Sequence, residues 1–364
     1  MQIKINEEMY HKSPYSDYLL YLFQNTSTET YPDEIDVPND AWFEFIDLLY
    51  KYSGHDIPKK NINNCLPDVH IDNPSRGVML GFSGGSDSTT HAAYLQDRDD
   101  VSEVVLYNMT HLNRSYPNEK NAAKAVADHL NMELILQEMK YSGKMQGIES
   151  PVKNHLVLAF MIPEMIKRNI VRCSEGVFPN DTLDVIGGLY GLSDAYDLFK
   201  AFEKAIQRTF PQYRFIICFK NWTHEFAYLM KYHKDLVPLY QSCLLPDRYR
   251  GKIRKINETK YNMTLIPNRC LSCWKCCKEY TMLGMFNYHK IDPIVYKNQI
   301  MPTLRRFYAK EKGISEREAN GVNTETILSQ FMFLDDIQRY VNDMSLVDKD
   351  FEDVPQFNNP DCWS

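Results

Sequence analysis

From residue 77 onward the apolar positions of the chain follow two alternating spacings. Short unbroken apolar runs, Val78-Met79-Leu80 and Val104-Val105-Leu106, read as buried strands, as do the segments 133–139, 183–186 and 214–219. A run that is apolar on both faces suits a parallel strand covered from both sides. Between these runs the spacing becomes helical. Ala122, Ala123, Val126, Ala127 and Leu130 share one face of a helix over 118–130. A second helix over 151–167 opens with Pro151 in its first turn, where proline is well tolerated, and a third covers 195–206. Strands alternating with helices predict an α/β fold, a doubly wound parallel sheet with helices on both faces. Ligands in such sheets sit at the carboxyl ends of the strands.

The flanks follow a different pattern. Segments 15–23 and 41–52 have helical apolar spacing, the second through Trp42, Phe45, Ile46, Leu49 and Tyr50. Residues 25–39 are polar and proline-containing, and 61–76 form a connector with Pro67 and Pro74. Helical patterns return at 301–308 and 324–342, ahead of an acidic tail over 348–364. The organisation expected is a helical extension at 1–76, a central α/β domain at 77–280 and a helical C-terminal addition at 281–364. The N-terminal addition is expected to pack against the central domain or a partner, and the C-terminal helical cap to close over the substrate or dock another protein.

Composition narrows the class. Hydrophobic residues are 44% and charged residues 24% of the 364, as in ordinary globular proteins. No apolar run approaches the ~18–20 residues that span a bilayer, and the first residues lack a signal-peptide core. A soluble, cytoplasmic protein with no membrane partner is therefore expected. The net charge of -7 argues against wholesale coating of a nucleic acid. Nine cysteines without a secretion signal point to thiols or metal rather than disulfides.

The first chemical signal is Gly81-Phe82-Ser83-Gly84-Gly85-Ser86-Asp87-Ser88-Thr89-Thr90, set between a strand and a helix. Gly84 and Gly85 allow the backbone to approach a ligand, and Ser83, Ser88 and Thr89 add hydroxyls. The helix start adds open amides and the positive end of its dipole, so the whole favours phosphate. No lysine follows the glycines, so the loop is not of the Walker type. Lys153, near the start of the 151–167 helix, is a candidate to stabilise a leaving phosphate, with a plain surface lysine as the alternative. Gly187, Gly188 and Gly191 follow the 183–186 segment; Asp194 and Asp197 behind them suit either substrate binding or capping of the next helix.

The order Ser83-Gly84-Gly85-Ser86-Asp87-Ser88 resembles the PP-loop of the N-type ATP pyrophosphatases. These include NAD, GMP and asparagine synthetases, tRNA thiolases, lysidine synthetase and 7-cyano-7-deazaguanine synthase. The resemblance implies the PP-loop (HUP-like) version of the doubly wound sheet. It also implies a loop that grips the β- and γ-phosphates of ATP, leaving the α-phosphorus open to attack. Ser83, Gly84, Gly85, Ser86, Asp87, Ser88 and Thr89 are then the nucleotide-binding set. Asp87, Lys153 and Ser88 are the catalytic candidates: Asp87 orients the phosphates or Mg2+, Lys153 stabilises departing pyrophosphate and Ser88 offers its hydroxyl.

The second signal is Cys270-Leu-Ser-Cys273-Trp-Lys-Cys276-Cys277, with Cys243 upstream. The C-x2-C-x2-C spacing puts three thiolates within reach of one tetrahedral ion, and Cys243 can supply the fourth. Zn2+ suits four sulfurs best, while an iron–sulfur cluster is the rival that spacing alone leaves open. Cys65, Cys173, Cys218 and Cys362 are isolated thiols. The loop, the Ser242-Cys243 pair and the downstream cysteines together are similar to 7-cyano-7-deazaguanine synthases, over about residues 78–280. That resemblance implies adenylation of a carboxylate, 7-carboxy-7-deazaguanine in the family, then attack by ammonia and dehydration of the amide. Lys153-Asn154 matches the family's basic-Asn pair, whereas Thr223-His224-Glu225 stands where the family has Lys-Ala-Glu.

The function expected is therefore an ATP-dependent ligase that forms AMP and pyrophosphate from a small-molecule acid and an amine. A first alternative is tRNA sulfur transfer, with Cys277 as the reactive thiol and the basic run 248–260, otherwise a solvated loop, as the RNA contact. A second is a partner-dependent protein of a defence or modification pathway, docking through its flanks. A homodimer stays open.

Overall fold

The structure, a computed structural model, describes residues 2–5, 15, 34–35, 38–53, 61–62, 68–111, 117–142, 149–176, 196–219, 222–245, 247–332 and 334–347. The strands are β1 (Gln2–Ile5), β2 (Glu34–Ile35), β3 (Asn61–Ile62), β4 (Ser75–Gly81), β5 (Val104–His111), β6 (Glu133–Ser142), β7 (Ile170–Glu175) and β8 (Arg214–Ile216). Six of them form one sheet in the order β1-β6-β5-β4-β7-β8, and β2 pairs with β3 apart from it. From β6 to β8 every neighbour is parallel. The sheet is thus the doubly wound parallel type, with β4 central and the order reversing beside it.

Two expectations need correction. The strand on the far side of β4 is β7, with Gly81 opposite Glu175, and periodicity had passed it over. The segment 183–186 and the glycines and Asp194 behind it lie outside the described residues. The sheet is also not wholly parallel, since β1 runs antiparallel along β6, with Gln2 opposite Ser142 and Ile5 opposite Met139. An antiparallel edge strand on a parallel sheet is common in folds of this kind.

Strand side chains alternate between two cores, as a pleat requires. Met79, Val105, Tyr107, Cys173 and Phe215 enter one core, together with helices α1 (Ala41–Ser53), α4 (Glu149–Lys167) and α5 (Tyr196–Gln207). Val78, Leu80, Val104, Leu106 and Ile216 enter the other, with α2 (Ser86–Gln96), α3 (Pro117–Leu130) and α6 (Trp222–Tyr232). In the first core Trp42 and Phe45 pack edge-on, and Phe202 meets both. Helix α1 therefore covers a face of the sheet.

The chain continues through α7 (Asp247–Tyr261) and α8 (Trp274–Met285). After the single turn Pro293–Val295 and the π-helical turn Tyr296–Ile300 come α9 (Met301–Lys312), α10 (Glu316–Asn320), α11 (Thr324–Ser329) and α12 (Leu334–Asn342). Trp274 stacks on Phe307 at 4.7 Å and meets Phe331 at 6.0 Å. These rings belong to the same core as Val78 and Leu80, so the C-terminal helices share the hydrophobic interior of the sheet. The run 248–260, expected as a loop, is helix α7, with Lys252, Lys255, Ile256 and Lys260 on its exposed side. Among the described residues no helix is long and apolar enough to cross a membrane.

Candidate functional site

The Ser83–Ser88 loop leaves the carboxyl end of β4, where the strand order reverses, the place where ligands bind in open sheets of this kind. Its entry is fixed by two hydrogen bonds from the neighbouring strand: Phe82 donates its amide to the Tyr107 carbonyl at 2.8 Å, and Asn108 donates Nδ2 to the Phe82 carbonyl at 2.6 Å. Gly84 then turns with φ of 75°, in the left-handed region. A Cβ there would lie 2.6 Å from the Ala123 amide nitrogen, so the backbone of α3 demands glycine at this point. On the other side β7 exits past α2. A Cβ on Gly176 would stand 2.8 Å from the Ser88 nitrogen. The exits of β4 and β7 thus meet at the first turn of α2.

Gly85 is the N-cap of α2 and offers no side chain to that helix end. The hydroxyls knit the loop internally. Ser88 Oγ lies 3.1 Å from Ser83 Oγ and accepts the Ser83 amide at 3.2 Å. Ser83 Oγ accepts the Gly85 amide at 3.2 Å, and Ser86 Oγ donates to Asp87 Oδ1 at 2.8 Å. Ser83 is exposed and Gly85, Ser86 and Asp87 are half-buried, so these present the open face of the loop. Ser88 is 4% exposed and braces the turn from beneath. Thr89 departs from the expected set: it is fully buried and its amide donates to the Gly85 carbonyl at 3.1 Å, which places it in the helix under the loop. His91, also fully buried, donates Nδ1 to the Asp87 carbonyl at 2.9 Å, and burial holds its pKa down at about 4, so the ring is neutral near pH 7.

Lys153 belongs to the N-terminal part of α4, one turn before Val157. Val157 Cγ1 lies 3.3 Å from where a Gly81 Cβ would be, so that end of the helix rises beside the loop. The Lys153 side chain lies outside the described residues, as does that of Asp197.

The four expected metal ligands do come together. The sulfurs of Cys243, Cys270, Cys273 and Cys276 all lie within 4.8 Å of one another, and all four residues are buried. Cys270 and Cys276 sulfurs are 3.7 Å apart. A tetrahedron with metal–sulfur bonds of about 2.3 Å has edges of nearly that length. This packing fits one ion, such as zinc; a multi-iron cluster holds its thiolates around a larger body. The knuckle is shaped by left-handed residues Asn268 and Leu271, with φ of 62° and 54°. Amides of Cys270 and Ser272 point at the sulfurs of Cys276 and Cys270, at 3.4 and 3.3 Å. Thiols bind metal as thiolates, so an ion held here would displace protons from these sulfurs.

Cys277 turns away from this centre. Its thiol is fully buried, donates to the Leu271 carbonyl at 3.6 Å, and is pushed well up in pKa by burial. A thiol in that state is inert, so the sulfur-transfer alternative loses its candidate nucleophile.

Residues missed by periodicity tie the two features together. Gln241 donates its backbone N–H to the Gly84 carbonyl at 2.9 Å. Ser242 Oγ donates to Ser86 Oγ at 3.2 Å and accepts the Ser86 amide at 3.4 Å. Nearby, Arg269 and Glu279 form an ion pair buried to 3% exposure on both side chains, and Arg269 Nη1 donates to the Tyr240 carbonyl at 3.0 Å.

Loop, switch point and cysteine centre together describe a Rossmann-like α/β protein compatible with a nucleotide-using, metal-holding enzyme. No protein-family model matches the chain, and no curated protein matches it in sequence.

Proposed function

We propose that this chain is an AMP-forming, ATP-dependent ligase of the PP-loop kind, similar to 7-cyano-7-deazaguanine synthases. The observation that carries the reading is the Ser83–Ser88 loop. A left-handed glycine, an N-cap without a side chain and accessible hydroxyls converge at the switch point of the sheet. The Ser86 amide is met by Ser242 Oγ, and the first-turn amides behind it, which glycine at the N-cap leaves without a side-chain cap, are natural partners for phosphate oxygens.

In this reading the amides at the start of α2 and the Ser83 and Ser86 hydroxyls hold the β- and γ-phosphates of ATP. A substrate carboxylate or amide oxygen attacks the α-phosphorus, forming a P–O bond as the bond to the β-phosphate oxygen breaks. Pyrophosphate leaves, stabilised by the loop amides and Lys153. A nitrogen nucleophile then attacks the activated carbon, and AMP departs with the bonding pair. Asp87 faces the phosphates as the group to orient them; Mg2+, when bound, would offset their charge. Cys243, Cys270, Cys273 and Cys276 would hold zinc, which supplies structural closure rather than chemistry.

The test is product analysis of ATP turnover with candidate acids and ammonium, beginning with 7-carboxy-7-deazaguanine. AMP and pyrophosphate are expected, with loss of turnover in Asp87→Ala. ADP and phosphate would overturn the reading. AMP formed only with a different acid would keep the reaction and change the substrate.

A further inference from the structure

We propose that the four-cysteine centre and the phosphate-type loop form one mechanical unit, in which Gln241 and Ser242 are positioning residues that transmit metal occupancy to the loop. Its functional half rests on the nucleotide reading above; its structural half does not.

Ser242 directly precedes the ligand Cys243, and residues 241–245 have no helix or strand of their own to hold them. Their fixed points are the cysteine centre downstream and the loop contacts themselves. Gln241 takes the Gly84 carbonyl, and Ser242 takes both the amide and the hydroxyl of Ser86. Ser86 Oγ in turn donates to Asp87 Oδ1. A hydrogen-bond chain therefore runs from the residue beside a metal ligand, through the first residue of α2, to the carboxylate on the open face of the loop. The second arm of the centre grips the same strap. Arg269, next to Cys270, donates to the Tyr240 carbonyl, and Asn268 donates Nδ2 to the Leu239 carbonyl at 3.2 Å. When metal joins Cys243 to Cys270, both ends of the strap are fixed and Ser242 is held against Ser86. Without metal the Cys243 end is released, and the contacts to Gly84 and Ser86 lose their support. Linkage is reciprocal, so a ligand on the loop also retains the metal.

The experiment compares metal-loaded, chelated and Ser242→Ala protein by hydrogen exchange without nucleotide. Peptides covering 82–90 should exchange about fivefold or more faster in both altered forms, an opening of the kind local contacts control. A peptide covering 104–111 should not change, and metal analysis should show the ion retained in Ser242→Ala. Ser242→Thr, which keeps the hydroxyl, should restore protection. If chelation unfolds the chain, Ser242→Ala alone decides. Unchanged loop exchange in Ser242→Ala, with metal bound, overturns the proposal. ATP binding gives the second readout: affinity should fall about tenfold in Ser242→Ala, the scale of a lost hydrogen bond, and ATP should slow metal transfer to a chelator. Wild-type protein that binds no ATP removes the nucleotide reading, while the exchange result still stands or falls by itself.

Discussion

Gly84→Ala is the sharpest probe of how the loop is built. Two separate costs follow from the backbone. With φ of 75°, alanine must adopt a left-handed conformation, which costs about 1–2 kcal/mol. Its Cβ would also stand 2.6 Å from the Ala123 nitrogen and 3.0 Å from the Glu119 carbonyl oxygen. Both are backbone atoms of α3 that no rotamer change can move, and overpacking of this kind costs about 1–3 kcal/mol. The expected loss is therefore about 2–5 kcal/mol, a large fraction of a typical folding stability. Gly313 isolates the first cost: its φ is 63°, but nothing lies within 4 Å of its Cβ position. Gly313→Ala should lose only the conformational part. Gly251, inside α7 and equally uncrowded, provides the opposite control, and its alanine variant should gain about 0.5–1 kcal/mol through helix propensity. Urea unfolding of the three variants measures the series, and ATP titration measures the loop. Gly84→Ala should be the least stable and should bind ATP at least tenfold more weakly. A Gly84→Ala protein no less stable than Gly313→Ala, with ATP affinity intact, refutes the close approach of loop and α3.

Three further outcomes are expected. Glu279→Gln leaves Arg269 charged and buried without its partner and should cost about 3–5 kcal/mol in urea unfolding, while the double change Arg269→Met with Glu279→Leu should recover most of it; a cost below 1 kcal/mol for the single change contradicts the buried pair. His91 has a folded pKa of about 4 against 6.5 ordinarily, so the unfolded chain takes up a proton that the native state refuses as pH falls from about 6.5 toward 4. Stability should drop through that window by up to about 1.4 kcal/mol per pH unit, and His91→Gln should flatten the slope; identical pH profiles would argue against a neutral buried imidazole. Phe331→Ala empties a fully buried site against Trp274 and Phe307 and should cost about 3–5 kcal/mol in thermal or urea unfolding, whereas a near-neutral effect would separate the C-terminal helices from the core.

What the chain announces locally is what local chemistry controls. The apolar runs of β4 and β5, the stripe of α3 and the spacing of Cys270, Cys273 and Cys276 all sit within short windows. What was illegible depends on distant partners. Strand β7 hides behind Arg172, which breaks its apolar run and is satisfied by Asp100 Oδ2 at 2.7 Å and by the Arg76 and Asp100 carbonyls, all far away in sequence. Strand β1 has only four residues and becomes a strand by pairing with β6; its Gln-Ile-Lys-Ile alternation is the one hint. The helical pattern of 324–342 continues through a break between α11 and α12, where Phe331 and Met332 are buried. Ser242 reaches Ser86 across 156 positions of sequence, and no window contains both.

The clasp between Cys243 and Cys270 has a topological consequence. With metal bound, the chain between them becomes a closed ring whose ends are set by the ion rather than by its own contents. The entropy of closing such a ring grows by only about 0.6 kcal/mol for each doubling of its length. Inside the ring, Ile253 packs on the cysteines and Asn257 donates to the Cys270 carbonyl at 2.6 Å, while Lys252, Lys255, Ile256 and Lys260 face outward. The outer face of α7 is thereby insulated from the fold. Exchange of these four exposed side chains should therefore leave the loop contacts of Gln241 and Ser242 in place.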